Sequence, residues 1–188
     1  MPKIIKDLNN TIFNISMKLF SENGYEKVDM KLIAKKCNIA VGTLYNYYPN
    51  KKELYICILN KSWNEIFKKL EDIKTSSYEP KEKIRKALVT LYENIESRQG
   101  IAKELVNNNI NDLTKDPRIL EFKERLTKNI EVSLAPIEKK TNFKNDVGIN
   151  RRLSETLLLS IPILIESHKE EKDDNIEFLN GLLEAFIK

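Results

Sequence analysis

The chain has 188 residues, 41% of them hydrophobic, which is enough to fill the core of one large domain or two small ones. It contains only five glycines, and its apolar residues recur at intervals of three and four, so the sequence favours a helical protein over a sheet-rich one. The net charge of +4 at pH 7 is uneven, because residues 1–62 hold ten Lys against five Asp or Glu; this excess fits a polyanionic partner and equally fits a solvated lysine-rich surface.

The first predicted helix has an apolar face that supports the segment after it. Its members recur at three and four: Ile5, Leu8, Ile12, Ile15 and Leu19. Gly24 follows this helix and can take the left-handed conformation that ends it.

Two very short helices joined by a tight turn are predicted next. Asp29 can cap a helix over residues 30–37, and Asn38 tolerates the left-handed turn that closes it. A second helix over residues 41–47 has Leu44 as its inward anchor. A helix of barely two turns is not stable alone and needs a scaffold. This arrangement predicts a helix-turn-helix that inserts its second helix into a major groove of DNA.

The start of the fourth predicted helix is a candidate phosphate site. Pro49 stops the helix before it, and Asn50 with Glu53 forms an N-cap pair for the new one. Lys51 and Lys52 lie at the exposed N-terminus of this helix. Free backbone N–H groups and positive charge at a helix N-terminus attract phosphate.

The remaining sequence predicts further helices, which gives an all-α protein of about nine helices in total. The fourth helix runs to about residue 73, and the others cover residues 82–97, 101–113, 116–134, 147–166 and 175–187. A polar stretch over 166–174 is expected to be a solvated turn. We divide the chain into a DNA-binding domain at 1–50 and a helical regulatory domain at 51–188, joined by the long fourth helix without a flexible linker.

The second half contains candidate residues for a ligand cavity and for a subunit interface. In both cases the same residues can also belong to the core. Four large aromatics are candidates for a cavity between helices, although aromatics at helical spacing are more often core: Trp63, Phe67, Tyr92 and Phe122. The last two helices have broad apolar faces that can be core or can pair with a second subunit: Leu157, Leu158, Ile161, Ile165, Leu179, Leu183 and Phe186.

Other functional classes find little support. No signal peptide and no apolar run of roughly 20 residues is present, so we expect a cytoplasmic protein without a membrane span. Cys37 and Cys57 lack the spacing of a metal site and are expected to be buried thiols, and His168 is expected at the surface. Without a nucleophile-base arrangement or a glycine-rich phosphate loop, we expect no enzymatic activity, cofactor or metal.

A dozen or so positions with fixed spacing run through the helix-turn-helix segment. They are Phe20, Gly24, Tyr25, Ile33, Ala34, Gly42, Thr43, Leu44, Tyr45, Tyr47, Tyr48, Asn50, Lys51 and Leu54. This pattern closely resembles the DNA-binding domain of the TetR family of transcriptional regulators, over roughly residues 4–60. The resemblance implies a homodimer that binds double-stranded DNA at a palindromic operator, with the last two helices forming a four-helix bundle, and a repressor that is released by a small-molecule effector.

The residues expected to contact DNA follow from their positions and from this resemblance. The candidates are Lys31, Val41, Gly42, Thr43, Tyr45, Asn46, Tyr47 and Lys51. Tyr47 resembles the phosphate-contacting aromatic of the family and Lys51 its backbone clamp, whereas Tyr45 can be either surface or core.

Two departures from the family pattern affect details of this hypothesis. Ala40 stands where a capping residue often precedes the third helix, and it cannot cap. Asp29 caps well but repels phosphate. The first arginine is Arg85, so a bidentate arginine contact to guanine is not expected and operators rich in A·T are favoured. The alternative function is a helical interaction module of the same fold that has lost specific DNA binding.

Overall fold

The computed structural model describes residues 7–97, 101, 113 and 115–188. These residues form an all-helical protein, as predicted from the composition and the spacing of apolar residues. The helices are α1 (Leu8–Asn23), α2 (Met30–Lys36), α3 (Val41–Tyr47), α4 (Lys51–Thr75), α5 (Pro80–Ser97), α6 (Pro117–Leu134), α7 (Ile149–Ser167) and α8 (Lys172–Phe186), with one 3-10 turn at Thr141–Phe143. The helix predicted over residues 101–113 lies outside the described residues, apart from its two end positions.

The helix ends follow the predicted local chemistry. The Asp29 carboxylate accepts a hydrogen bond from the Leu32 N–H at 2.7 Å, and the Asn50 side chain accepts one from the Glu53 N–H at 2.9 Å. Gly24 and Asn38 take positive φ angles of 76° and 56°, as the two turns require. Ala40 provides no side-chain cap for α3. The predicted caps and turns are therefore confirmed.

Several helix boundaries differ from the prediction by one or two residues, and the largest difference is at the last helix. The last helix begins at Lys172, within the polar stretch that was expected to be a turn. Its first turn contains Asp173 and Asp174, and acidic side chains are stabilised by the partial positive charge of a helix N-terminus. The acidic residues that looked like a solvated loop are thus the start of α8.

The chain divides into two compact units, and the division falls within α4 after Ser62. The first unit contains α1, α2, α3 and the first half of α4, together with the described residues between 101 and 119. In it α2 contacts both α1 and α3. The core side chains of this unit are almost fully buried: Ile12, Phe20, Tyr25, Val28, Ile33, Ala34, Leu44, Leu54 and Tyr55. A three-helix scaffold therefore fixes the position of α3.

The second unit consists of residues 63–97 and 120–188, and α5, α7 and α8 contact one another in it. The Asn175 amide donates a hydrogen bond to the buried Tyr92 hydroxyl oxygen at 3.0 Å, which joins α8 to α5. The Lys139 ammonium donates to the carbonyl oxygens of Leu134 and Ile137 at 2.7 and 2.6 Å, and so covers the C-terminus of α6. In the described part of the chain, no helix combines the length and the apolar character needed to cross a bilayer.

Candidate nucleic-acid interface

The helix α3 packs against the first unit with one face and exposes its other face. Leu44 has no exposed surface and anchors the helix on the first unit, whereas Tyr45 and Tyr47 are 48% and 45% exposed. Apart from its sequence neighbours and the backbone of its own helix, a Cβ atom built at Gly42 would meet no atom of the described residues within 4 Å. The space in front of Gly42 is therefore open to another molecule, and packing within the chain does not require glycine there.

The residues predicted to contact DNA are exposed to solvent to different degrees. Lys31, Gly42, Tyr45, Asn46 and Tyr47 are exposed. Val41 and Thr43 are half-buried at the start of α3, as is Lys51 at the start of α4. The structure thus resolves the two alternatives for Tyr45, which lies at the surface and not in the core.

Tyr48, directly after α3, is half-buried and contacts neighbouring helices. Its hydroxyl donates a hydrogen bond to the Asn9 side-chain oxygen at 3.0 Å and lies 3.9 Å from the Cys57 sulfur. Burial, together with the neighbouring Cys57, raises the pKa of Tyr48 to about 12. The hydroxyl therefore stays protonated and links the end of α3 to α1 and α4.

Lys51 is oriented by contacts within the first unit. Its ammonium donates a hydrogen bond to the Tyr25 carbonyl oxygen at 3.0 Å and lies 4.0 Å from the centre of the Tyr25 ring. An ammonium has three N–H donors, so two remain for a further acceptor such as a phosphate oxygen.

Lys52, in contrast, belongs to a charge network that sequence reasoning missed. The Arg118 guanidinium donates two hydrogen bonds of 2.7 Å to Glu53 and two more, at 3.0 and 2.9 Å, to Asp116. The Lys52 ammonium lies 3.6 Å from the Asp116 carboxylate. These bonds tie the first turn of α4 to the start of α6. No local pattern connects residues this far apart in sequence, so only the structure could reveal the network.

The network lowers the pKa of both carboxylates that it contains. The Arg118 hydrogen bonds lower the pKa of Asp116 to about 2, and they also lower the pKa of Glu53. Both groups are therefore ionised at neutral pH, and they neutralise Arg118 and part of the charge on Lys52.

The exposed lysines of α2 provide the uncompensated positive charge near α3. Lys31, Lys35 and Lys36 are exposed, and among the described residues none of them has an acidic partner. Unpaired lysines attract a polyanion at long range, and they lose this attraction as salt screens the charges.

Three of the four predicted cavity aromatics come together in the second unit. Trp63 lies edge-on to Phe122 with ring centres 5.2 Å apart, and Phe67 lies 5.8 Å from Phe122. All three side chains are buried. Tyr92 is bonded to Asn175 and makes no described ring contact with this aromatic cluster.

The predicted dimerisation residues lie mainly inside the second unit. Five of them are buried within the chain: Leu157, Ile161, Ile165, Leu179 and Leu183. Leu158 and Phe186 are half-buried. The same two helices instead expose Leu159, Ile163 and Phe178, which are 49%, 58% and 57% exposed. A helix with apolar residues on several sides does not indicate which side packs on its own chain, so the sequence could not separate the two faces.

The helix-turn-helix segment is similar in sequence to known proteins. The model for bacterial regulatory proteins of the tetR family matches residues 12–57. An uncharacterized HTH-type transcriptional regulator, YuxN of Bacillus subtilis, is 36% identical over 91 residues, 48% of this chain and 31% of that one. The HTH-type transcriptional repressor KstR of Rhodococcus jostii is 36% identical over 61 residues, 32% of this chain and 29% of that one. The chain thus spans about a third of the length of each of these two curated relatives.

Solved structures share the fold over nearly the whole chain. A TetR-like transcriptional regulator from Rhodococcus sp. RHA1 superposes with a TM-score of 0.71 at 17% identity, covering 97% of this chain and 95% of that one. The transcriptional regulator FadR of Bacillus subtilis, in complex with stearoyl-CoA, has a TM-score of 0.63 at 20% identity and covers 91% and 97%. Residues 12–57 therefore match the model for bacterial regulatory proteins of the tetR family, and the chain has the fold of TetR-like transcriptional regulators.

Proposed function

We propose that this protein is a sequence-specific DNA-binding transcriptional regulator, a repressor that a small-molecule effector releases from a palindromic operator. The observation that carries the proposal is the exposed face of α3, anchored by Leu44 and open at Gly42, inside a domain of the tetR family. A short helix presented in this way suits insertion of its first residues into a major groove.

Most of the candidate residues have a proposed role in DNA binding. Gly42 lets the backbone approach base edges, and Thr43 offers a hydroxyl or a methyl group to a base. Tyr45 contacts a thymine methyl or a sugar. Tyr47 and Lys51 bind phosphates, Lys51 with the two N–H donors that its bond to Tyr25 leaves free. The set is completed by Lys31, Val41 and Asn46.

Dimerisation is proposed to use the outward face of α7 and α8. Leu159 and Ile163 lie one turn apart on α7, and Phe178 is exposed on α8, which contacts α7. Large apolar side chains gathered on neighbouring helices are typical of a surface that another molecule covers. Two copies joined here would present two α3 helices to half-sites separated by about 34 Å, one turn of DNA.

The effector is proposed to act through the second unit. The FadR structure shows that a related fold accommodates a long acyl thioester, so stearoyl-CoA is a suitable first probe. An effector that binds one conformation of the dimer more tightly shifts the population towards it. Release of DNA follows when that conformation spaces the two α3 helices wrongly for the operator.

The proposal is tested by a gel-shift titration of the full chain against the DNA upstream of its own gene. We expect saturable binding to one palindrome, with an affinity that falls steeply as salt rises, because each dimer neutralises several phosphates. Binding that is equally strong on scrambled DNA, or no binding at low salt, would instead favour the interaction module that has lost specific DNA recognition.

A further inference from the structure

Lys52, the second lysine in the first turn of α4, is held only loosely within the chain. Its ammonium lies 3.6 Å from the Asp116 carboxylate, which is close enough for an ion pair but too long for a hydrogen bond. The Lys52 side chain is 35% exposed, and its ammonium has no hydrogen-bond acceptor among the described residues. Its three N–H donors can therefore turn to another anion.

Asp116 is bound more tightly, by Arg118. The Asp116 carboxylate is buried, and it accepts three hydrogen bonds from Arg118: one from the backbone N–H at 3.0 Å, one from Nε at 3.0 Å and one from Nη2 at 2.9 Å. A buried carboxylate requires a bonded cation, because an unpaired charge away from water is costly. Arg118 meets this requirement, so the pairing of Asp116 does not depend on Lys52.

Lys52 can therefore leave Asp116 at little cost in free energy. Its departure breaks one long ion pair and leaves the Asp116 carboxylate bonded to Arg118. A DNA phosphate offers the ammonium charge-assisted hydrogen bonds in exchange, and these are stronger than an ion pair without a hydrogen bond. If Lys52 were the only cation beside Asp116, the same exchange would leave a buried carboxylate unpaired.

Arg118 itself is committed to the chain. Its four side-chain hydrogen bonds to Glu53 and Asp116 occupy all but one of the five N–H donors of the guanidinium. Both carboxylates are thereby neutralised, so neither is left to repel a phosphate from the first turn of α4.

The position of Lys52 in the chain places it beside the proposed DNA interface. It directly follows Lys51, and neighbouring Cα atoms are about 3.8 Å apart. Since α3 ends at Tyr47 and α4 begins at Lys51, only three residues separate the two helices. The Lys52 ammonium sits on a flexible four-carbon stem. A phosphate that neighbours the one proposed for Lys51 is therefore within its reach.

We propose that Lys52 is a second phosphate-binding residue of the interface, and that Arg118 keeps it available to DNA by satisfying Asp116 in its place. This inference rests on the proposed DNA-binding function and adds to it a residue that the sequence pattern did not assign. Lys52 contacts DNA, whereas Arg118 is a positioning residue that acts through Asp116.

The test compares the affinity of the full-length protein for two labelled duplexes, measured by fluorescence anisotropy over a range of salt concentrations. One duplex is the DNA upstream of the protein's own gene and the other is a random sequence of equal length, because phosphate contacts do not depend on sequence. We expect Lys52→Met to weaken binding to both by about tenfold. The slope of log affinity against log salt should fall by about 1 per protomer.

Two variants of the network should act in opposite directions. Asp116→Asn removes the anion that competes for Lys52, so we expect binding to become about threefold tighter, a gain that partial unfolding cannot produce. This gain should disappear in a Lys52→Met background. Arg118→Met leaves Asp116 to Lys52 and should weaken binding by about tenfold, and adding Asp116→Asn should restore it.

Glu26→Gln is the matched control, because Glu26 is an exposed carboxylate of the first unit without an ion pair among the described residues. Any gain that it gives reflects the general loss of negative charge and should persist in a Lys52→Met background. The inference is overturned if Lys52→Met keeps the wild-type affinity and salt slope, or if Asp116→Asn gives no gain or one that does not depend on Lys52.

The two duplexes separate this inference from the proposed function. A wild type that prefers the upstream DNA without any effect of Lys52→Met refutes only the role of Lys52. A wild type that binds both duplexes equally, with the expected effects of the variants, refutes only sequence-specific recognition. No binding to either duplex at low salt refutes both.

Discussion

Single side chains on α3 and α4 should separate affinity from sequence preference. We expect Tyr47→Phe to weaken binding to every DNA sequence alike, because it removes a hydroxyl from an exposed ring proposed to contact phosphate. Thr43→Ala should instead change which bases are preferred, since it removes a base-contacting hydroxyl. Binding to an operator and to its single-base variants, measured by fluorescence anisotropy, distinguishes the two effects. The assignment fails if both variants retain wild-type affinity on every DNA.

Asp116 is the residue whose charge should matter most for stability in acid. Arg118 holds the pKa of Asp116 at about 2, below its ordinary 3.8, so the stabilisation is present above pH 3.8 and is lost as the pH falls towards 2. Asp116→Asn can still cap α6 but removes the charge. We expect it to lower the free energy of unfolding by about 1–3 kcal/mol at pH 7. The difference from the wild type should shrink towards pH 2.

Urea denaturation at several pH values measures this dependence. Asp72→Asn is the control, because it removes an exposed carboxylate of α4 that has no ion pair among the described residues. If the two variants show the same pH dependence, the Arg118 network does not contribute to stability through the charge of Asp116.

At the scale of the element, α3 is a helix of only seven residues that lacks a side-chain cap at its N-terminus. Ala40 is extended before its first turn and offers no side-chain acceptor. Ala40→Ser supplies one, and we expect the free energy of unfolding to rise by about 0.5–1 kcal/mol. Ala185→Ser makes the same chemical change at an exposed position within α8 and should give no gain in the same urea titration. Equal effects of the two changes would contradict a capping mechanism.

The elements also show how far sequence reasoning reaches. The caps at Asp29 and Asn50 and the turns at Gly24 and Asn38 depend on neighbouring residues only, and the sequence predicted all of them. The Arg118 network depends on residues from two helices distant in the chain, which no periodicity specifies. Local chemistry is therefore readable from sequence, whereas pairing between distant helices is not.

The sequence also could not predict which side of α7 in the second unit is buried. Leu157 and Leu159 are both leucines on α7, yet the first is fully buried and the second is half exposed. The apolar residues predicted that this helix buries part of its surface. Which residues pack within the chain and which remain for a partner depends on where α5 and α8 lie. The burial pattern supplies that information.

At the scale of the whole molecule, the proposed function requires two copies of the chain to act together. The proposed interface contains Ile163 at the centre of the outward face of α7, where a charge would be desolvated on pairing. We expect Ile163→Glu to produce a folded monomer, because a buried unpaired carboxylate costs several kcal/mol, about as much as a moderate interface gains. Size-exclusion chromatography with light scattering gives the mass, and circular dichroism shows whether the helices are retained.

Operator binding should fall together with dimerisation, since a single α3 reaches only one half-site. Leu120→Glu is the matched control, because Leu120 is 52% exposed on α6 and is not part of the proposed interface. It should stay dimeric and bind DNA like the wild type. If Ile163→Glu remains dimeric, the copies associate through another surface; if it is monomeric yet binds the full palindrome with unchanged affinity, one chain is sufficient for recognition and the symmetric arrangement is wrong.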